Sequence, residues 1–205
     1  MKIMGFFLIT IGWIVIPCIG LAQAPHQIGG FALGKNISDY RDKIRPHSDL
    51  PIRRMEYLRE TETRATEGFQ YGVVWYGTCS IPGRIVRIKL KYADSSKCFF
   101  DTLLKEFNKR FGKPSEWRGD PFNVVIAWKW SFTDSENHSI SLILYHNTKD
   151  EEEKRGNVVK LTNWSRIDEE RRCFEKKHPE PEEEYPARPE PRGRSPVDWE
   201  TLIPR

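Results

Sequence analysis

Cys79 stands at the mouth of a turn in the stretch WYGTCSIPGRIVRIKLKY, which runs from Trp75 to Tyr92. A cysteine so placed is a candidate nucleophile, half of a disulfide, or a small apolar side chain. Nucleophilic chemistry needs the thiolate, which a helix N-terminus, a neighbouring base or a cation provides. Ile81-Pro82-Gly83-Arg84 carries Pro and Gly at the second and third positions of a type II turn. Folding the chain about Pro82-Gly83 sets Cys79 opposite Val86, Gly77 opposite Ile88, Trp75 opposite Leu90 and Val73 opposite Tyr92. In that register Cys79 points inward among apolar partners, where cysteine behaves as a small hydrophobe. The sequence therefore assigns no catalytic residue. A small cysteine-dependent enzyme or redox protein using Cys79 is the alternative to a binding role.

Beyond residue 24 the chain holds three cysteines, Cys79, Cys98 and Cys173, which allow one bridge and one free thiol. A Cys79–Cys98 bond conflicts with geometry. The strand from Arg84 to Tyr92 separates the two by about 26 Å at the usual rise, and disulfide Cα atoms sit roughly 4.4–6.8 Å apart. The expected bridge is Cys98–Cys173, stapling the last helix to the first. Two free thiols, or a Cys79–Cys173 pair, are the alternatives that spacing leaves open. The five histidines show no H-x-x-x-H spacing and there is no C-x-x-C, so no metal and no cofactor is expected. His146 to Glu153 (HNTKDEEE) reads as a solvated loop between strands.

The cations carry more information. Arg87, Lys89 and Lys91 alternate with Val86, Ile88, Leu90 and Tyr92, the pattern of a strand with one buried face. Lys129 joins them if Trp128 faces inward, and Tyr76 and Tyr145 are expected beside them. Cations interleaved with aromatics suit an anionic glycan, a lipid headgroup or an acidic envelope protein. In FGKPSEWRGDPF, Trp117 and Arg118 form a second candidate contact point.

The elements that must position these residues follow from periodicity. Arg53 to Glu60 leans to strand, and Phe69 to Cys79 and Arg84 to Tyr92 form a hairpin. A helix runs from Asp94 or Ser95 to Phe111, with Phe100, Leu103, Leu104, Phe107 and Phe111 as its apolar stripe. Phe122 to Phe132 and Ile140 to Leu144 form a second hairpin, Asn157 to Leu161 adds a strand, and Asn163 to Lys177 a final helix. This order points to an α+β fold, an antiparallel sheet of about four to six strands with helices packed on one face. Residues 25–177 make one such domain. Residues 178–205 hold seven of the 14 prolines, mixed with Glu and Arg, and are expected to be disordered.

Residues 1–24 have the layout of a secretory signal peptide: Lys2, an apolar run, then Gly20-Leu21-Ala22-Gln23-Ala24, with cleavage after Ala22 or Ala24. An uncleaved anchor is the alternative, and cleavage would leave no transmembrane domain in the mature chain. Both place the rest outside the cytoplasm, in the periplasm or secreted. A net charge of +4 over 205 residues is too balanced for a nucleic-acid binder.

GGFALGKNISDY followed by a hairpin, a helix ending FNKRFGKP, and the strand VVIAWKWSF together resemble small exported bacterial α+β proteins of unknown function, over Gly29 to His146. The resemblance implies an envelope location and transfers no catalytic residue. The expectation is an exported, non-catalytic binding or envelope-interaction module.

Overall fold

The computed structural model describes residues 23–148 and 156–179. Residues 1–22 of the expected signal segment, residues 149–155 of the expected acidic loop and the expected tail from residue 180 lie outside the described residues. The elements in chain order are Gln27–Ile28 (β1), Phe31–Ala32 (β2), a 3-10 turn at Ile37–Tyr40, Leu50–Ile52 (β3), Met55–Thr63 (β4), Phe69–Gly77 (β5), Ile85–Tyr92 (β6), Lys97–Phe111 (α1), Glu116–Trp117 (β7), Val125–Thr133 (β8), Ser139–Asn147 (β9), Gly156–Asn163 (β10) and Trp164–Lys177 (α2). β1 and β2 pair alone. The other eight strands form one antiparallel sheet in the order β3-β4-β5-β6-β10-β9-β8-β7. The class is α+β, but the sheet exceeds the expected four to six strands. The short edge pieces β3 and β7 carry too few residues to show a period. No helix of the described residues is long and apolar enough to cross a membrane.

The helices lie on opposite faces, not on one. In β6, Ile88 and Leu90 point to the main core, where Trp130, Leu142, Leu144, Val159 and Leu161 meet Phe100 of α1. All five stripe residues expected of α1 pack there. Ser96, rather than Asp94 or Ser95, caps this helix by accepting from Phe99 N–H. His146 and Asn157, both buried, fix its start: His146 Nδ1 lies 2.7 Å from Asn157 Oδ1, and Asn157 Nδ2 donates to the carbonyls of Asp94 and Ser96. On the opposite face, Ile167 of α2 packs with Leu58, Val86 and Trp75 in a smaller cluster.

The β5–β6 register differs from expectation by three residues. Leu90 faces Gly72 where Trp75 was expected, and Trp75 faces Arg87. An odd shift turns every side chain to the other face. Two local features cause it. Val86 is an extra residue between the pairs Trp75–Arg87 and Tyr76–Ile85. The strand also stops at Gly77, because the Cys79, Ser80 and Ile81 donors serve a side chain instead of β6. The turn itself is as expected: Arg84 N–H donates to Ile81 O at 3.1 Å and Gly83 has φ +84°.

That side chain is Glu170, fully buried on α2. Its Oε2 accepts from the N–H groups of Cys79 at 2.8 Å and Ser80 at 2.9 Å, and its Oε1 from Ile81 N–H at 3.1 Å. Arg84, also buried, reaches Glu170 Oε1 at 3.3 Å and Glu169 Oε2 at 2.9 Å. Burial alone would raise the Glu169 carboxyl. Hydrogen bonds from Ser80, Arg166 and Arg84, together with Arg84's charge, outweigh it and hold the pKa at about 2. Gly77 makes the room, since a Cβ there would stand 2.2 Å from Glu170 Cδ.

The disulfide joins the same two elements. It is Cys79–Cys173, with Cα atoms 5.8 Å apart, and not Cys98–Cys173. Cys98 is an exposed free thiol. The expected bridge fails because α1 and α2 lie on opposite sides of the sheet. The inward placement of Cys79 fails with the register.

Removing the Glu170 carboxylate would leave three partly buried backbone donors and the buried Arg84 under-satisfied. Breaking a buried ion pair from one side costs roughly 3–5 kcal/mol. Glu170→Ala should lower the urea unfolding free energy by that amount with the disulfide kept oxidised. A loss below about 1 kcal/mol would show that the loop satisfies itself without α2.

Candidate functional site

Strand alternation puts Arg87, Lys89 and Lys91 on the α2 face, opposite Ile88 and Leu90. Trp75 stands across from Arg87, Val73 from Lys89 and Tyr71 from Lys91. On the other side Thr162 pairs with Arg87, Lys160 with Lys89 and Val158 with Lys91. Two residues of strand advance about 7 Å, so the three cations form a ladder about 14 Å long.

Arg87 is its most constrained rung. Its guanidinium carbon lies 3.8 Å from the centre of the Trp75 ring and 5.2 Å from that of Trp164, the first residue of α2. Its Nε donates to Thr162 Oγ1 at 3.0 Å. Each indole is held by its own N–H: Trp75 donates to Glu60 Oε2 at 2.8 Å, and Trp164 to Ser141 Oγ at 2.9 Å. Burial pushes the Arg87 pKa down to about 10, with no carboxylate of the described residues opposing the shift. Arginine stacked on aromatic faces keeps its planar fork of donors for bidentate contact with a carboxylate or phosphate. Lys89 is exposed, its Nζ 5.9 Å from the Tyr145 ring centre, and Lys91 lies 5.6 Å from that of Tyr71. Trp164 leaves 42% of its surface open beside Arg87.

The remaining expected residues separate from this group. Lys129 shares the face, with Trp128 on the other side as expected, but its Nζ is paired to Glu116 at 3.2 Å. Tyr76 is not with the cations: the register shift turns it to the opposite face, where its hydroxyl donates to Asp49. Burial first, and then Asp49, raise the Tyr76 pKa to about 12. Trp117 and Arg118 lie at the far sheet edge. Trp117 is 43% exposed and leans over Gly119, and Arg118 is tied to Glu116 at 2.7 Å. Phe122, expected in the strand, sits 85% exposed in the turn before β8.

Sequence reasoning missed Trp75, Trp164 and Lys160 as members of this face. Lys160 was legible, since Val159 and Leu161 bracket it on the buried side. Trp164 was not, because its place depends on α2 crossing the cation side of the sheet. Cys79 is oxidised and supplies no thiolate in this form. Among the described residues no group of three His, Cys, Asp or Glu side chains is placed to hold a metal ion. Comparison with family models, with curated proteins and with solved structures found no match for the chain.

Arg87 carries a charge into a half-dry slot without a counter-ion, which costs stability. Its stacking and its hydrogen bond each return about 1 kcal/mol. Arg87→Met should therefore melt within a few degrees of the parent or above it, as thermal unfolding would measure. A loss beyond about 3 kcal/mol would make Arg87 a structural brace.

Proposed function

We propose that the chain is an exported, non-catalytic binding module that captures an acidic glycan on its α2 face, with Arg87 as the anchor and Lys89 and Lys91 extending the contact. The observation that carries this reading is an arginine clamped between two fixed indoles with no carboxylate partner among the described residues. A carboxylate on a sugar satisfies the guanidinium. The open part of Trp164 suits the apolar face of a pyranose ring, and the spacing of the lysines suits repeated charges along a chain.

The test is calorimetric titration with carboxylated oligosaccharides and their neutral, reduced counterparts. Binding should require the carboxylate and weaken as salt is raised, because exposed charges are screened. Arg87→Met should weaken it at least tenfold without unfolding the protein. Equal binding of neutral sugars would refute the site. Preference for anionic vesicles or an acidic peptide over every glycan would reassign the ligand.

One observation supports export, and a second bears on where a signal would be cut. A disulfide spanning 94 residues belongs to an oxidising compartment. Ala24 is also packed in the main core, only 7% exposed. A cut after Ala24 would remove a core residue, whereas a cut after Ala22 keeps it. The mature protein is expected in the periplasm or medium with Gln23 at its N-terminus, as intact mass would read. Full-length protein recovered from the cytosol would end this reading.

A further inference from the structure

We propose a second binding site, on the α1 side of the sheet, for a single-chain zwitterionic amphiphile of the lysophospholipid class. A cleft of about 1090 Å³ opens between the segment Gln23–Gly30 and the C-terminal half of α1. That is the size of a small-molecule site, for which roughly 300–1,000 Å³ is usual. Its apolar surface mixes aromatic side chains with Ile28, Leu142 and Leu161. Phe69 and Tyr92, with ring centres 4.7 Å apart, line it from the sheet, and Phe107 and Phe111 line it from the helix. The opposing wall is held close by Gly29, at φ +58°, where a Cβ would stand 2.3 Å from Leu90 Cδ1. A flexible acyl chain fits such a trough.

The rim selects the headgroup. At 100° per residue, α1 turns Phe107 to the core, and Arg110, Glu106 and Lys109 climb one flank in that order. All three line the cleft, and none has an ion-pair partner among the described residues. Lys109 and Arg110 offer two cations to a phosphate. Glu106, one turn before Arg110, offers a carboxylate to an ammonium. A fatty acid would leave Glu106 facing its own charge, whereas a phosphoethanolamine headgroup uses both signs.

The probe is lysophosphatidylethanolamine carrying a diazirine in its acyl chain. It is applied below its micelle concentration to the protein as the cell produces it, and the cross-links are mapped by mass spectrometry. Labelling is expected on the peptides bearing Gln23–Gly30 and Phe107–Phe111, with unlabelled lipid competing. The double variant Lys109→Glu/Arg110→Glu, on exposed helix surface, should weaken competition at least tenfold with an unchanged circular dichroism spectrum. Glu106→Gln should weaken the zwitterion several-fold and leave palmitate no weaker. Arg87→Met should change nothing, which separates this site from the proposed glycan site. Cross-links absent, scattered, or confined to the α2 face would overturn the proposal. So would indifference to the double charge reversal, and a Glu106→Gln variant binding the zwitterion as well as the parent would overturn the headgroup assignment.

Discussion

A carboxylate taken out of water must be given donors, and Glu170 obtains them from the backbone of the β5–β6 loop. Three N–H groups and Arg84 converge on it at 2.8–3.3 Å. The alternative for Arg84 is an under-satisfied buried group, at roughly 1–3 kcal/mol, and for the three partly buried N–H groups a smaller cost each. The consequence is geometric as much as energetic. Committing the Cys79, Ser80 and Ile81 donors to α2 ends β5 at Gly77. Together with the extra residue Val86, this sets the register of the central strands. Every side chain on the cation face is placed by that register.

The same contact decides where α2 lies. Glu170 and Cys173, three residues apart on one helix face, both engage the loop, one by hydrogen bonds and one covalently. With the C-terminal half of α2 pinned there and Asn163 capping its start at the end of β10, the helix must cross β6. Trp164 then falls within 5.2 Å of Arg87. The indole–guanidinium–indole contact is thus assembled from one hairpin and the distant start of α2, and its geometry depends on a polar latch at the other end of the helix.

Much of this was legible in the residues and some of it was not. Alternation in Arg87 to Tyr92 and Ile140 to Leu144, and the 3.6-residue stripe of α1, reported burial directly, because a side chain's face is a local property; Val86, expected beside Ile88 and Leu90, turns instead to the α2 cluster because the bulge breaks the alternation there. The pairing of strands is not local. Folding about Pro82-Gly83 assumed that a turn signal fixes the register, and no periodicity reveals that a glutamate 86 residues after Arg84 will claim the loop's donors. That one omission turned Tyr76 outward, Trp75 inward and Cys79 away from its true partner. The choice between Cys98 and Cys173 failed likewise: both helices were placed on one face, and the apolar stripe of a helix does not say which side of a sheet it covers.

The latch also couples fold to compartment. In the chain-entropy view, a bond spanning 94 residues removes enough freedom from the unfolded chain to be worth roughly 4–5 kcal/mol. Typical domain stability is about 5–15 kcal/mol, so the reduced protein forfeits a large share of its margin. Reduction acts first on the loop that Glu170 organises, since Cys79 both donates to Glu170 and carries the bond. The carboxylate would then hold α2 to the sheet alone, and the Trp164 side of the Arg87 stack would loosen with it. A face built this way is held in this geometry most firmly where thiols are oxidised. The capture of an acidic ligand proposed for Arg87 would therefore be favoured in an oxidising compartment by the covalent chemistry of the fold, apart from any targeting segment.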